Sequence, residues 1–339
     1  MSAYGTIGRR LGKLRKLKHL YITFKRGSRD LHNLDCRKGR NMKINTNTTS
    51  RSLHNKLFWA FVLPALLCYF IFYFFPLLIS GWYSLTDFNG LNNNYDYVGI
   101  NNYIRVFSDK GFLTSLFVTF LILIMYVLAT NILSVFLAML LDNQKLCGRN
   151  VYRGVLLMPN TISLVVTAFL WQFMFTKVFG SMMDFVGLGE FAINWFRSAT
   201  TARVAVVIAE VWHSLGYYTI VYIAGLQSID RSYIDAASVD GAVGLKRFWY
   251  IILPLLMPSV VVCLFMTISN GFKSFDIPFL MTEGGPFNAT KVIGLNIYRE
   301  IYTNNKLGYA SAKAIILCII IFICTYFQLK AMKSKEVEG

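Results

Sequence analysis

The chain has 339 residues, of which 55% are hydrophobic and only 15% are charged, and its mean hydropathy is +0.48. Because soluble domains carry about 25% charged residues, this composition excludes an ordinary water-soluble protein. The formal net charge is +17 at pH 7, so the few charges are mainly basic.

The first 56 residues form a basic arm, with 15 lysines or arginines against two aspartates. Within residues 4–24, apolar residues recur every three or four positions among basic ones: Ile7, Leu11, Leu14, Leu17 and Leu20. This spacing predicts a helix lying on an anionic membrane surface. Other interpretations remain open: a disordered arm, a natural start at Met42, or an organelle transit peptide. No nucleic-acid-binding motif accompanies the charge, so no nucleic-acid partner is predicted.

Six apolar windows follow, each long enough for a membrane-spanning helix, which takes about 20 residues. They are Leu57–Ser80, Phe112–Leu141, Gly154–Thr176, Val204–Gln227, Phe248–Gly271 and Gly308–Leu329. Barrel strands alternate apolar and polar residues, and these windows do not. The predicted fold class is therefore all-α, a polytopic membrane protein with six transmembrane helices. Prolines within the windows predict kinks rather than breaks: Pro64, Pro76, Pro159, Pro254 and Pro258.

The charge distribution predicts the topology. A basic arm beside the first span stays in the cytoplasm, and six crossings return the C-terminus to the same side. This gives a cytoplasmic arm over residues 1–56, a membrane domain over 57–331 and a cytoplasmic tail over 332–339. Among the outer segments, residues 177–201 predict a short interfacial helix, and Glu283-Gly284-Gly285-Pro286 predicts a turn.

Polar residues inside the spans are candidates for a substrate pathway. Glu210, His213 and Tyr217 share one helix face, and ionisable groups at membrane depth usually face a bundle interior or a wet cavity. An equally weighted alternative makes Glu210 and His213 a hydrogen-bonded pair that joins helices. Asn270 is a further candidate.

Other polar residues in the spans have simpler interpretations. Asn270, like Asn131 and Asn160, is more often an interhelical hydrogen-bonding residue than a ligand contact. Lys313 is predicted to extend to the lipid headgroups. The cysteines have no framework spacing, so neither disulfides nor a metal site is predicted.

A short polar segment separates the fourth and fifth windows. Ser232 followed by Asp235 resembles a capping box that starts a helix, small residues follow, and Gly241 ends the helix. This segment is too polar to lie in lipid and too short to be stable alone. It therefore suits insertion into a groove on another protein.

The same segment resembles the E-A-A-x-x-D-G-A motif of permease subunits in binding-protein-dependent ABC importers. The matching residues are Asp235, Ala236, Ala237, Asp240, Gly241 and Ala242, followed in register by Phe248, Ile251, Leu253 and Pro254. Asp235 replaces the usual glutamate, and upstream Asp230 stands where a proline is common. From about residue 57 onward the chain is similar to the carbohydrate-uptake branch, in the maltose-transporter F-like type.

The resemblance implies the type I ABC importer permease fold and a location in the bacterial cytoplasmic membrane. It also implies that the motif residues couple the chain to a separate ATPase. The implied partners are a second permease subunit, an ATP-binding subunit dimer, an extracytoplasmic solute-binding protein, a sugar and membrane lipid. The chain has no phosphate-binding loop, so it is predicted to be a transporter subunit rather than an enzyme, with no cofactor of its own.

Alternatives remain for the solute and for the mechanism. A permease for glycerol-3-phosphate or another small solute is possible within the family, although few basic residues lie in the spans. A self-contained secondary transporter would need its own coupling ions and usually internal repeats. A membrane enzyme ranks lowest, because the spans contain no metal cluster or paired carboxylates.

Overall fold

The computed structural model describes residues 49–92, 94–143, 146–187 and 194–333, and within these ranges the side chains of residues 58–330. The predicted surface helix within residues 4–24 lies outside the described residues, as do residues 334–339 of the predicted tail. The chain divides into two compact units, residues 1–72 and 73–339.

The described part of the first unit is helical. Helix α1 (Thr49–Tyr69) contains Pro64 without interruption and leads into a π-helical turn, Phe70–Phe74. Large apolar side chains along it are exposed, including Phe61 at 79% and Phe72 at 72%. Such exposure suits a helix surrounded by lipid, since apolar side chains meet no penalty there.

Helices also dominate the described part of the second unit. In chain order they are α2 (Phe75–Tyr83), α3 (Asn101–Ser108), α4 (Lys110–Asp142), α5 (Arg149–Leu157), α6 (Leu164–Phe173), α7 (Phe179–Phe185), α8 (Ala199–Ser228), α9 (Arg231–Val239), α10 (Gly244–Arg247), α11 (Leu253–Leu255), α12 (Met257–Phe272), α13 (Asp276–Thr282), α14 (Ile293–Tyr302) and α15 (Leu307–Lys333). The β pairing seen in these residues is an isolated bridge between Thr86 and Tyr97.

Among the described residues, five helical stretches are long and apolar enough to cross a membrane, and a sixth is bent. The five are Phe58–Tyr83, Lys110–Asp142, Leu164–Phe185, Ala199–Ser228 and Leu307–Lys330. The first, second, fourth and sixth predicted spans are confirmed to within a few residues. The all-α membrane fold is confirmed with them, whereas the third and fifth spans differ from the prediction.

The third span was predicted to begin at Gly154, which is wrong. Gly154 belongs to α5, and the chain then passes through a 3₁₀ turn, Met158–Thr161, before the helix restarts at Leu164. Pro159 lies in that turn, where its missing N–H and fixed φ favour an end to the α-helix. The restarted helix runs on to Phe185, so the segment predicted as a separate interfacial helix begins as the end of this span.

The fifth span is broken rather than kinked. Residues Gly244–Leu255 and Met257–Phe272 meet at 74°, with prolines at 254 and 258 on either side of Leu256. Two prolines four residues apart remove backbone hydrogen-bond donors from two consecutive helical turns. The helix therefore breaks where the sequence predicted only a kink.

Helix α8 packs closely against the end of α5, ahead of the third span, and against the break in the fifth span. A Cβ on Gly216 would overlap the carbonyl of Leu156 at the end of α5. Likewise, a Cβ on Gly225 would overlap the Ser259 hydroxyl and lie 2.9 Å from Leu256 Cδ1. Glycine therefore lets the breaks approach α8 more closely than any other residue permits.

A buried polar network joins the long helices α4, α8 and α12. Asn131 Nδ2 donates to Thr267 Oγ1 at 3.1 Å, and the Tyr222 hydroxyl donates to Asn131 Oδ1 at 2.6 Å. Tyr222 and Thr267 are fully buried. Asn131 thus has the interhelical role expected of it, because a polar side chain at membrane depth needs a partner.

Candidate functional site

A cavity of about 450 Å³ lies among α4, α6, α8 and α12 and the connection from α12 to α13. All four predicted pathway residues line it: Glu210, His213 and Tyr217 from α8, and Asn270 from α12. The helix spacing within α8 made their common face predictable. Asn270 is distant in sequence and joins them only because α12 packs beside α8.

Glu210 is the buried acidic residue of this cavity, with 8% of its surface exposed. Its Oε1 accepts a hydrogen bond from the Ser274 hydroxyl, which follows the end of α12. Its Oε2 has no hydrogen-bond partner among the described residues. A buried carboxyl oxygen without a partner is costly, so the site has an unmet capacity for a hydrogen bond.

His213 and Asn160 join α8 to the turn that precedes α6. His213 Nε2 lies 3.0 Å from the Ile162 carbonyl oxygen, and Asn160 Nδ2 donates to the His213 carbonyl at 3.4 Å. Glu210 and His213 therefore bond to different neighbours rather than forming the predicted alternative pair. Both still tie helices together while facing the cavity.

Tyrosines supply the remaining polar wall. The Tyr217 hydroxyl donates to Met266 Sδ at 3.7 Å, and Asn270 Nδ2 donates to the Tyr218 hydroxyl at 3.1 Å. The Tyr126 hydroxyl donates to Ser214 Oγ at 3.1 Å. Aromatic faces with hydroxyl and amide groups at their edges can bind a polar solute that also has apolar faces.

Sequence reasoning missed several residues of this cavity. Ser214 follows Glu210 by four positions, so helical spacing could have identified it. Tyr126 on α4 and Ser274 beyond α12 carry no local signal and are brought in by packing alone. Among the described residues, no group of three or more His, Cys, Asp or Glu side chains is placed to hold a metal ion.

Lys313 does not extend to the headgroups as predicted; it is fully buried. Its Nζ lies 2.9 Å from Asp109 Oδ2 and 2.9 Å from Glu300 Oε1, and it donates to Asn296 Oδ1 at 2.9 Å. The Tyr309 hydroxyl donates to the same Asp109 oxygen at 3.0 Å. Two acidic partners replace the water that the ammonium would otherwise seek, which is why it can stay buried.

The two carboxylates that contact Lys313 both have a lowered pKa. Burial acts to raise the pKa of Asp109, but hydrogen bonds from Lys313 and from the Phe112 amide outweigh it and bring the pKa to about 2. Burial likewise acts to raise the pKa of Glu300, and hydrogen bonds from Asn304 and Lys313 lower it below its ordinary value. Both groups are therefore anionic near neutral pH.

The short helix predicted between the fourth and fifth spans is α9, Arg231–Val239. Its N-cap is Asp230 rather than the predicted Ser232: the Asp230 carboxylate accepts from the Ser232 amide at 2.9 Å. The residue that departs from the family's usual proline thus supplies the cap itself, a role that suits aspartate.

The predicted stop at Gly241 is confirmed. Gly241 has φ +77°, the Ala242 amide donates to the Ala237 carbonyl at 2.8 Å, and the Gly241 amide donates to Ser238 at 3.2 Å. This pair of bonds is a Schellman motif, which requires a left-handed residue after the helix.

The predicted coupling residues differ in their exposure. Ala237 is buried at 3%, whereas Asp235, Ala236, Asp240 and Gly241 are exposed and Ala242 is half-buried. Nearby apolar side chains are also exposed: Val239 at 87%, Val243 at 66% and Leu245 at 77%. Small, acidic and apolar groups together form a surface that can receive another protein.

Comparisons with known proteins agree with this arrangement. Residues 133–334, more than half of the chain, match the model of the family described as "binding-protein-dependent transport system inner membrane component". The chain is 33% identical over 281 residues to the probable starch degradation products transport system permease protein AmyD of Thermoanaerobacterium thermosulfurigenes, covering 83% of this chain and 95% of the relative. It is 32% identical over 281 residues to the sn-glycerol-3-phosphate transport system permease protein UgpA of Agrobacterium fabrum, covering 82% and 95%.

A solved structure shares the fold. A chain in the crystal structure of a bacterial alginate ABC transporter, in complex with an alginate pentasaccharide-bound periplasmic protein, superposes with a TM-score of 0.74 at 20% identity. The match covers 86% of this chain and 98% of that one. Together with the family match and the identities of its relatives, this places the protein in the membrane: the chain belongs to the inner membrane components of binding-protein-dependent transport systems, the permease subunits of ABC importers.

Proposed function

We propose that this permease carries a neutral sugar or oligosaccharide and that the cavity beside Glu210 is a solute-binding station on its pathway. The observation that carries the proposal is the cavity wall itself, in which four predicted pathway residues meet tyrosine rings and amide groups at membrane depth. Its volume of about 450 Å³ falls in the range of small-molecule sites, about 300–1,000 Å³. Starch degradation products are the solutes in the name of the relative AmyD.

Glycerol-3-phosphate is the second candidate, because UgpA is similar over nearly the same length. The charges favour the neutral solute. Glu210 and Asp276 line the cavity with one lysine, Lys273, which is exposed. His213 also lines the cavity, but no buried lysine or arginine is among the lining residues, so a phosphate ester would meet two carboxyl groups without a buried cation to bind it.

We also assign the coupling role to α9 and its exposed end, Asp235 to Ala242. A separate ATP-binding subunit dimer would receive this helix and convert ATP-driven closure into alternating access by rigid-body switching. A second permease subunit and an extracytoplasmic solute-binding protein complete the proposed importer. The N- and C-termini and α9 then lie on the cytoplasmic side, following the basic charge of the arm.

The first test of the assembly is purification of the tagged, detergent-solubilised protein from its native membrane, with co-purifying chains identified by mass spectrometry. We expect a second six-span permease and an ATPase with a phosphate-binding loop. A homo-oligomer without an ATPase would overturn the assembly.

The test of coupling uses two glycines in matched surroundings. Gly241 and Gly187 have φ +77° and +78°, and an added Cβ meets nothing within 4 Å at either position. We expect Gly241→Asp to abolish ATP-dependent sugar uptake while the protein still inserts, because bulk and charge block docking. Gly187→Asp, with the same backbone strain elsewhere, should retain uptake. Wild-type uptake by Gly241→Asp, or equal loss in both variants, would contradict the docking role.

A further inference from the structure

The Lys313 network joins α4 to the consecutive helices α14 and α15, which lie far from it in sequence. Asp109 caps the start of α4, accepting from the Gly111 amide at 2.8 Å. Asn296 and Glu300 lie on α14, and Tyr309 and Lys313 lie on α15. The cationic side chains also stack: Lys313 Nζ is 4.6 Å from the Tyr309 ring centre, and Arg105 lies 5.1 Å from the same centre. The polar partners of the Lys313 ammonium are the side chains of Asp109, Asn296 and Glu300.

Helix α14 is bonded to Lys313 through Asn296 and Glu300. It packs behind residues 274–277, which line one side of the cavity. A Cβ on Gly294 would lie 3.5 Å from Phe275 Cβ. The Tyr298 ring lies 5.3 Å from the rings of both Phe275 and Phe279. Phe275, Asp276 and Ile277 in turn line the cavity, beside the Ser274 hydroxyl that holds Glu210. Contact therefore runs without a gap from Lys313 through α14 to the cavity.

We infer that Lys313 is a positioning residue for the cavity: it fixes α14 against α4 and α15, and α14 fixes the wall from Ser274 to Ile277. Lys313 itself does not line the cavity. Calling the cavity a solute site rests on the proposed function, whereas the positioning of its wall does not.

The test is hydrogen exchange of the complex purified with its partner subunits, comparing wild type with Lys313→Met. Methionine is of similar length but leaves two half-buried carboxylates, Asp109 and Glu300, without their buried cation. Breaking such a pair strongly destabilises its surroundings. We expect amide exchange in α13 and α14 to accelerate at least about 100-fold, which is about 2.7 kcal/mol at 1.36 kcal/mol per tenfold. Exchange in the middle of α8 should not change.

Two further variants separate positioning from general damage. Lys313→Met combined with Asp109→Asn and Glu300→Gln removes the uncompensated charges, and Asn keeps the cap of α4; slow exchange in α13 and α14 should return. Lys306→Met removes an exposed lysine just before α15 and should behave as wild type. Unchanged exchange in Lys313→Met, or equal acceleration in α8, would overturn the inference.

A local probe of the cavity completes the test. Asp276 and Met266 line different walls, on α13 and α12. We expect Lys313→Met to change the thiol-labelling rate of Asp276→Cys several-fold and to leave that of Met266→Cys unchanged. Equal changes at both positions would contradict a role confined to one wall. If no sugar is transported by wild type, the proposed solute fails, but the exchange and labelling results still decide the role of Lys313.

Discussion

Gly216→Ala adds one methyl group where α8 has no room for it. The new Cβ would overlap the carbonyl of Leu156 and lie 2.8 Å from the Leu157 nitrogen. These atoms belong to the backbone, so no side-chain rotation can relieve the clash. The end of α5 must move away from α8, and it leads directly into the turn containing Asn160 and the cavity contact of His213 with Ile162.

Two opposing effects set the magnitude. Alanine in place of a helical glycine stabilises a helix by about 0.5–1 kcal/mol. Overpacking costs about 1–3 kcal/mol, and a backbone clash belongs at the upper end of that range. The expected net effect is a destabilisation of about 2 kcal/mol, with the loss concentrated at the contact between α5 and α8. Solute uptake should fall as well, because Asn160 and Ile162 move with α5.

The assay is the thermal unfolding midpoint of the purified protein in detergent, measured at a fixed heating rate because unfolding of such proteins is often irreversible. Gly154→Ala is the matched control, since Gly154 lies within α5 and an added Cβ meets nothing within 4 Å. We expect the control to keep or raise the midpoint and Gly216→Ala to lower it. A midpoint for Gly216→Ala equal to or above that of the control would refute the close packing of α5 on α8.

Three more predictions follow from the described contacts. Tyr222→Phe removes the 2.6 Å hydrogen bond to Asn131 and should lower thermal stability by about 1 kcal/mol; an unchanged midpoint would contradict the network. Asp230→Ala should accelerate amide exchange across α9 and Asp230→Asn should not, because Asn also caps; equal effects would remove the cap from the explanation. The pKa of Asp109 is lowered from 3.8 to about 2, so its ionised carboxylate stabilises the folded protein above about pH 3.8. This stabilisation is lost only as the pH falls toward about 2. The contribution of Asp109 to the stability of the wild type should therefore stay constant from about pH 8 to 5, and a loss of wild-type stability over that range that Asp109→Asn removes would contradict the lowered pKa of this carboxyl.

The sequence predicted those parts of the fold that depend on local composition. Four spans are continuous apolar helices, and crossing a bilayer requires at least about 20 apolar residues in each. The face shared by Glu210, His213 and Tyr217 follows from helical spacing. The end of α9 at Gly241 follows from the need for a left-handed residue.

What could not be predicted depends on contacts between distant segments. Lys313 looked like a lysine near a span's end, and only folding brings Asp109 and Glu300 to it. Pro159 and Pro254 permit either a kink or a break. A break also needs a neighbouring helix that the bent chain can approach closely, and the glycines of α8 allow this. The cap at Asp230 was missed because Ser232 offered a competing local signal.

The break at Leu256 has a consequence for the lipid that the protein needs. Helix α12 has 16 residues, about 24 Å at 1.5 Å per residue, whereas the hydrocarbon core of a typical bilayer is about 30 Å thick. Helix α4, with 33 residues, is about 50 Å long. One molecule thus combines a helix too short for the bilayer with one much longer, and mismatch costs fractions of a kcal/mol per Å. We therefore expect the thickness of the surrounding bilayer to act on the 74° angle between α12 and the segment before it.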